Sequence, residues 1–128
     1  MQTTYHRLFE PGRDDVDIRA ALADGQRLVA CLCAAWCSSC AAWRGAFESL
    51  SREFAQDCFV WIDIEDHSDL VAEVEVETLP VLLVQADVGV GFLGPIEPRA
   101  PVVRALLMRA APIDLRLADP GVRDRLLA

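Results

Sequence analysis

No apolar run in this 128-residue chain approaches the length of a membrane span. The most apolar stretch, Leu28 to Trp36, is too short and too internal, which excludes a transmembrane helix. Nor do the first residues, Met1-Gln2-Thr3-Thr4-Tyr5-His6, show a basic region followed by apolar residues. No secretory signal is therefore expected, and the cytoplasm is the expected address. Internal repeats and low-complexity tracts are missing, and the length leaves no room for a second domain of ordinary size. Basic residues are scarce, 12 against 20 acidic ones, for a net charge of −8. Such a surface repels phosphate, so neither nucleic acid nor an anionic membrane is an expected partner. Histidine is limited to His6 and His67, both expected at the surface.

What is abundant is apolar. A hydrophobic share of 53% supports one substantial core. Tyr5 to Phe9 reads as a short strand, ended by the turn signal Pro11-Gly12. Val16, Ala20, Leu22 and Ala23 suggest a short helix from Asp15, stopped by Asp24-Gly25. Arg27 to Cys33 is a continuous apolar run of strand length, as expected of a strand buried on both faces. From about Cys37, Trp43, Phe47, Leu50 and Phe54 recur at helical spacing, with Gly45 inside the segment. Phe59 to Ile64 reads as a second central strand. Asp66 or Ser68 is then expected to cap a short helix through Leu70, Val71 and Val74. After Thr78-Leu79-Pro80, Val81–Val84 and Val88–Leu93 form a predicted hairpin. Pro101 to Arg109 is a predicted helix, and Asp119-Pro120 opens a last one running into Val122 and Leu126. The order predicts a mixed sheet with helices on both faces.

The five cysteines, Cys31, Cys33, Cys37, Cys40 and Cys58, are odd in number, and four lie within ten positions. That is a poor disulfide framework and points instead to metal binding or redox chemistry. Cys37 falls where a buried strand ends and a helix begins, and unpaired N–H groups there stabilise a thiolate, the nucleophilic form. Cys40, three positions on, returns to the same helix face. The spacing suits attack on a substrate disulfide by Cys37 and resolution of the mixed disulfide by Cys40. A metal site would need about four ligands. Cys31 and Cys33 are the only nearby candidates, and they lie on a strand expected in the core. No metal and no cofactor is expected, and Cys31, Cys33 and Cys58 read as core fillers.

Trp36-Cys37-Ser38-Ser39-Cys40, the downstream Leu79-Pro80, Gly94 and the strand Val60-Trp61-Ile62-Asp63-Ile64 together resemble the thioredoxin family over roughly Asp15 to Arg109. The resemblance implies a thioredoxin-like α/β fold, a central mixed sheet of four to five strands flanked by helices. Residues 1–112 would form this domain, with 113–128 a C-terminal extension, expected to be helical. It also implies a cis Pro80 beside the sulfurs, with Leu79's backbone pairing an extended substrate segment. Trp36 and Pro80 would rim that groove and Gly94 would line it. The implied activity is thiol–disulfide exchange on protein disulfides through Cys37 and Cys40. The implied partners are proteins carrying disulfides or thiols, and a thioredoxin reductase or other dithiol reductant.

The chain also departs from the family. Cys31 stands where the family buries an aspartate beneath the cysteine pair, Trp61 where it tends to place a lysine, and Cys33 where a tryptophan is common. A buried thiol is a poor base, so resolution by Cys40 is expected to be slow near neutral pH. Two function classes follow, an oxidoreductase and a thioredoxin-fold binding or chaperone module with little turnover. The intact cysteine pair favours the first; the missing acid and the extra tail favour the second.

Overall fold

The computed structural model describes residues 8–128; the expected strand from Tyr5 lies outside these except for its end. Eight elements follow in order: α1 (Asp15–Ala23), β1 (Arg27–Cys33), α2 (Ser38–Glu53), β2 (Asp57–Asp63), β3 (Val81–Ala86), β4 (Gly89–Pro95), α3 (Ala100–Arg109) and α4 (Val122–Leu127). The strands form one mixed sheet in the order β2-β1-β3-β4. β1 runs parallel to β2 and antiparallel to β3, and β3 and β4 make the hairpin. Phe9 adds one parallel bridge to Val60 at the β2 edge.

Strand alternation divides the core in two. Val29, Cys31 and Cys33 of β1 face one side, where Trp43, Phe47 and Leu50 of α2 and Val103 and Leu107 of α3 cover them. Leu28, Ala30 and Leu32 face the other, covered by Ile18 and Leu22 of α1 and Val122 and Leu126 of α4. With both faces covered, β1 reads as an uninterrupted apolar run rather than an alternating one. The aromatic centre of the first layer is Phe47, whose ring lies 5.0 Å from Phe59 and 6.1 Å from Trp61.

The helix expected across Leu70 to Val74 is absent, and residues 64–74 form successive turns instead. The Asp63 carboxylate accepts the N–H groups of Glu65 (2.8 Å) and Asp66 (3.0 Å), folding the chain back at the strand end. Beyond it, Leu70 N–H bonds to His67 O and Val74 N–H to Val71 O, closures of three residues rather than four. The last helix also starts later than Asp119-Pro120 suggests. Its N-cap is Gly121 at φ 79°, a left-handed backbone that suits glycine. Asp119 holds that turn by accepting Gly121 N–H at 2.8 Å.

Candidate functional site

Cys37 is the N-cap of α2, its backbone still extended at φ −86°, ψ 111°. Its N–H donates to Ala34 O (3.0 Å), and its carbonyl accepts Ala41 N–H (3.1 Å), so the chain turns directly from β1 into the helix. No acidic side chain occupies the first turn of α2, which leaves the positive end of the helix dipole to the sulfur. The Ser39 hydroxyl lies 3.2 Å from Cys37 Sγ. Together with the backbone N–H of Cys40, it holds the Cys37 thiol below its ordinary value. Cys37 is therefore a half-exposed thiol whose thiolate form is favoured.

The other sulfurs are buried. Cys40 in the first turn of α2 and Cys33 at the end of β1 are each 1% exposed. They are joined in a disulfide with Cα atoms 5.9 Å apart. The Cys37–Cys40 bond that the spacing suggests is thus not the bond present, and Cys33, buried in the core as expected, is also a disulfide partner. The physical reason is the period of the strand. Cys31 and Cys33 alternate onto the α2 side of the sheet, and the strand-to-helix turn carries Cys40 back over the end of β1. That signal, two cysteines two apart on a strand running into a Cys-x-x-Cys helix, was already in the sequence.

Cys31 Sγ lies 3.8 Å from Cys33 Sγ. Burial pushes the Cys31 thiol up to about 12, so at neutral pH it carries its proton. Cys33, being bonded to Cys40, has no proton to give, and Cys31 is the donor in this contact. Cys58 is likewise pushed up to about 12 by burial, but it sits on the opposite face of the sheet.

A cavity of about 240 Å³ opens beside Cys40, lined among others by Glu10, Arg44, Trp61, Asp63 and Asp66. Arg44 stacks over the Trp61 ring at 5.0 Å and pairs with Glu10 at 2.5 Å. Of the groove residues, Trp36 is 68% exposed, and the Leu79–Pro80 peptide is cis. Leu79 packs against the same apolar cluster as Cys37. Gly94 lies opposite Leu82 on β4 and lines a separate hollow of about 460 Å³, with Val81, Leu93 and Pro120 among its walls. Among the described residues no cluster of His, Cys, Asp and Glu is arranged to hold a metal, and no helix is long and apolar enough to cross a membrane.

Removing the Ser39 hydroxyl tests the electrostatics of the site. In Ser39→Ala the midpoint of the rate–pH profile for iodoacetamide alkylation of Cys37 should move up, because the thiolate loses a donor. Cys31 and Cys58 should stay unlabelled in folded, reduced protein at neutral pH. A midpoint that does not move would remove the hydroxyl from the account.

The family model for thioredoxin matches residues 15–91. Thioredoxin of Mycoplasma genitalium is 33% identical over 51 residues, covering 40% of this chain and 50% of that protein. Bovine thioredoxin is 35% identical over 57 residues, covering 44% and 54%. The chain spans about half the length of these curated relatives. In three dimensions the likeness is broader. Spinach chloroplast thioredoxin f superposes with a TM-score of 0.66 at 17% identity, covering 84% of this chain and 96% of that one. Thioredoxin of Trypanosoma brucei brucei gives 0.68 at 20% identity, covering 84% and 94%. With a matched family model over more than half its length and the same sheet and helix arrangement, the chain belongs to the thioredoxin family.

Proposed function

We propose that the protein is a thiol–disulfide oxidoreductase acting on protein disulfides, with Cys37 as the attacking thiolate and Cys40 as the resolving thiol. One observation carries this reading: the half-exposed Cys37 sulfur sits at the α2 N-terminus against donors that favour its thiolate, with Cys40 in the first turn of that helix. Cys37 Sγ attacks one sulfur of a substrate disulfide, and the other leaves as thiolate. Reduced Cys40 loses its proton and attacks Cys37 Sγ, forming the Cys37–Cys40 bond and releasing the second substrate sulfur. Two electrons pass from the cysteine pair to the substrate. Trp36, Leu79, Pro80 and Gly94 are the proposed substrate contacts, with Leu79's backbone pairing an extended segment.

The electrons would come from a dithiol reductant. One structural neighbour, a thioredoxin f2, was solved in complex with a ferredoxin:thioredoxin reductase, and a reductase of that kind fits the proposal. A reducing compartment such as the cytoplasm suits a chain with Cys31, Cys37 and Cys58 as free thiols.

The binding-module reading has one observation in its favour, the engagement of Cys40 by Cys33, which leaves Cys37 without its resolving thiol in this state. Insulin reduction by dithiothreitol separates the two. Wild type should accelerate precipitation of the insulin B chain, and Cys37→Ser should return it to the rate of dithiothreitol alone. A folded wild type that gives no acceleration would leave the binding module standing.

A further inference from the structure

We propose that Cys33 is the end of a three-cysteine relay. After exchange, the disulfide passes from Cys37–Cys40 to Cys33–Cys40, and Cys37 returns to the surface as a free thiolate. The relay rests on the reading of Cys37 and Cys40 given above, and it assigns Cys33 a catalytic part that the spacing of the Cys-x-x-Cys pair does not.

The geometry supplies each member. Cys40 is the common partner. It lies in the first turn of α2, whose N-cap is Cys37, and its sulfur is bonded to Cys33 at the end of β1. A cavity opens beside Cys40. Cys31, in the place of a buried acid, presents its S–H to Cys33 Sγ at 3.8 Å. It is thus a donor to the Cys33 sulfur as charge develops there, and not a base.

The step balances. Cys33 gives up its proton to water and attacks Cys40 Sγ. The Cys33–Cys40 bond forms as the Cys37–Cys40 bond breaks, and Cys37 leaves with the electron pair. No electron enters or leaves the protein, so direction depends on which sulfur is best left as thiolate. Cys37 is half-exposed at a helix N-terminus, whereas Cys33 is buried among apolar groups where a charge is costly. The exchange therefore places the neutral disulfide inside and the charge outside. Oxidised protein keeps a surface nucleophile, and an external dithiol reaches the buried bond through Cys37 re-attacking Cys40.

The test uses one equivalent of 5,5′-dithiobis(2-nitrobenzoate) on fully reduced protein, then iodoacetamide, then digestion without reduction. Chymotryptic cleavage after Trp36 separates Cys33 from Cys37 and Cys40. In wild type, the fragments on either side of that cut should stay linked, with the label on Cys37. In Cys33→Ser they should separate, with Cys37 unlabelled. An isomer that dominates by about tenfold stabilises the oxidised state by the same factor. Cys33→Ser should then shift the equilibrium with glutathione toward the dithiol by about tenfold or more. Separated wild-type fragments with Cys37 blocked, a result that needs no variant to fold, would overturn the relay and leave exchange through Cys37 and Cys40 intact. Failure of wild type to release the second thionitrobenzoate would overturn the exchange itself.

Discussion

Replacing Cys40 with serine should lengthen the life of a mixed disulfide on Cys37 by on the order of a hundredfold or more. In wild type the resolving thiol is part of the same helix turn, and an intramolecular nucleophile reaches effective concentrations far beyond any millimolar external thiol. Cys33 does not replace it directly, since it lies buried at the end of β1 and its bond is to Cys40. Release of the second thionitrobenzoate from the Cys37 adduct measures the lifetime. In wild type this release should also speed up with rising pH. Only the thiolate form of a cysteine attacks a disulfide, so alkali favours this step. Cys31, held up to about 12 by burial, supplies no base for this step. Equal decay in Cys40→Ser and wild type would show that another sulfur resolves the adduct.

The chemistry was more legible in the sequence than the pairing. Cys37 at a strand–helix junction announces a favoured thiolate from local rules alone, because the donors are the Ser39 hydroxyl and backbone N–H groups of the first turn of α2. The same holds for β1, whose unbroken apolar run requires cover on both faces. The Cys33–Cys40 bond depends on a tertiary register, namely which face of β1 the helix α2 crosses. Alternation narrows that choice, while the choice itself is made by Trp43, Phe47 and Leu50 packing against Val29 and Cys31. The turns after Asp63 read as a helix in the sequence because Leu70, Val71 and Val74 have helical spacing. Only Val71 of these is fully buried, and the Asp63 carboxylate favours a turn over a helical start.

The tail offers the largest effect on stability, through Arg123→Ala. Arg123 is a charged residue only 5% exposed, and among the described residues it pairs with no carboxylate. Its guanidinium instead donates to three carbonyls, Gln26 O (2.9 Å) and Gln85 O (3.2 Å) from Nη1 and Leu22 O (3.1 Å) from Nη2. Those carbonyls belong to the end of β3, the close of α1 and the turn before β1, so one side chain ties α4 to three separate places. It also fixes Val122 and Leu126 against Ile18 and Leu22. A hydrogen bond from a charged donor contributes roughly 1.5–3 kcal/mol, and an acceptor left buried without a partner costs about 1–3 kcal/mol. Desolvation of the guanidinium offsets part of that sum. Arg123→Ala should therefore destabilise by about 3 kcal/mol, lowering Tm by on the order of 10 °C for a domain of this size. Arg125, two positions on, is the control. It pairs with Glu73 at the surface and donates to Pro120 O, and its alanine variant should cost roughly 1 kcal/mol or less. Urea unfolding of the two variants gives the comparison directly. If Arg123→Ala unfolds with the wild-type midpoint, or costs no more than Arg125→Ala, α4 is an ornament on the sheet rather than part of what holds it together.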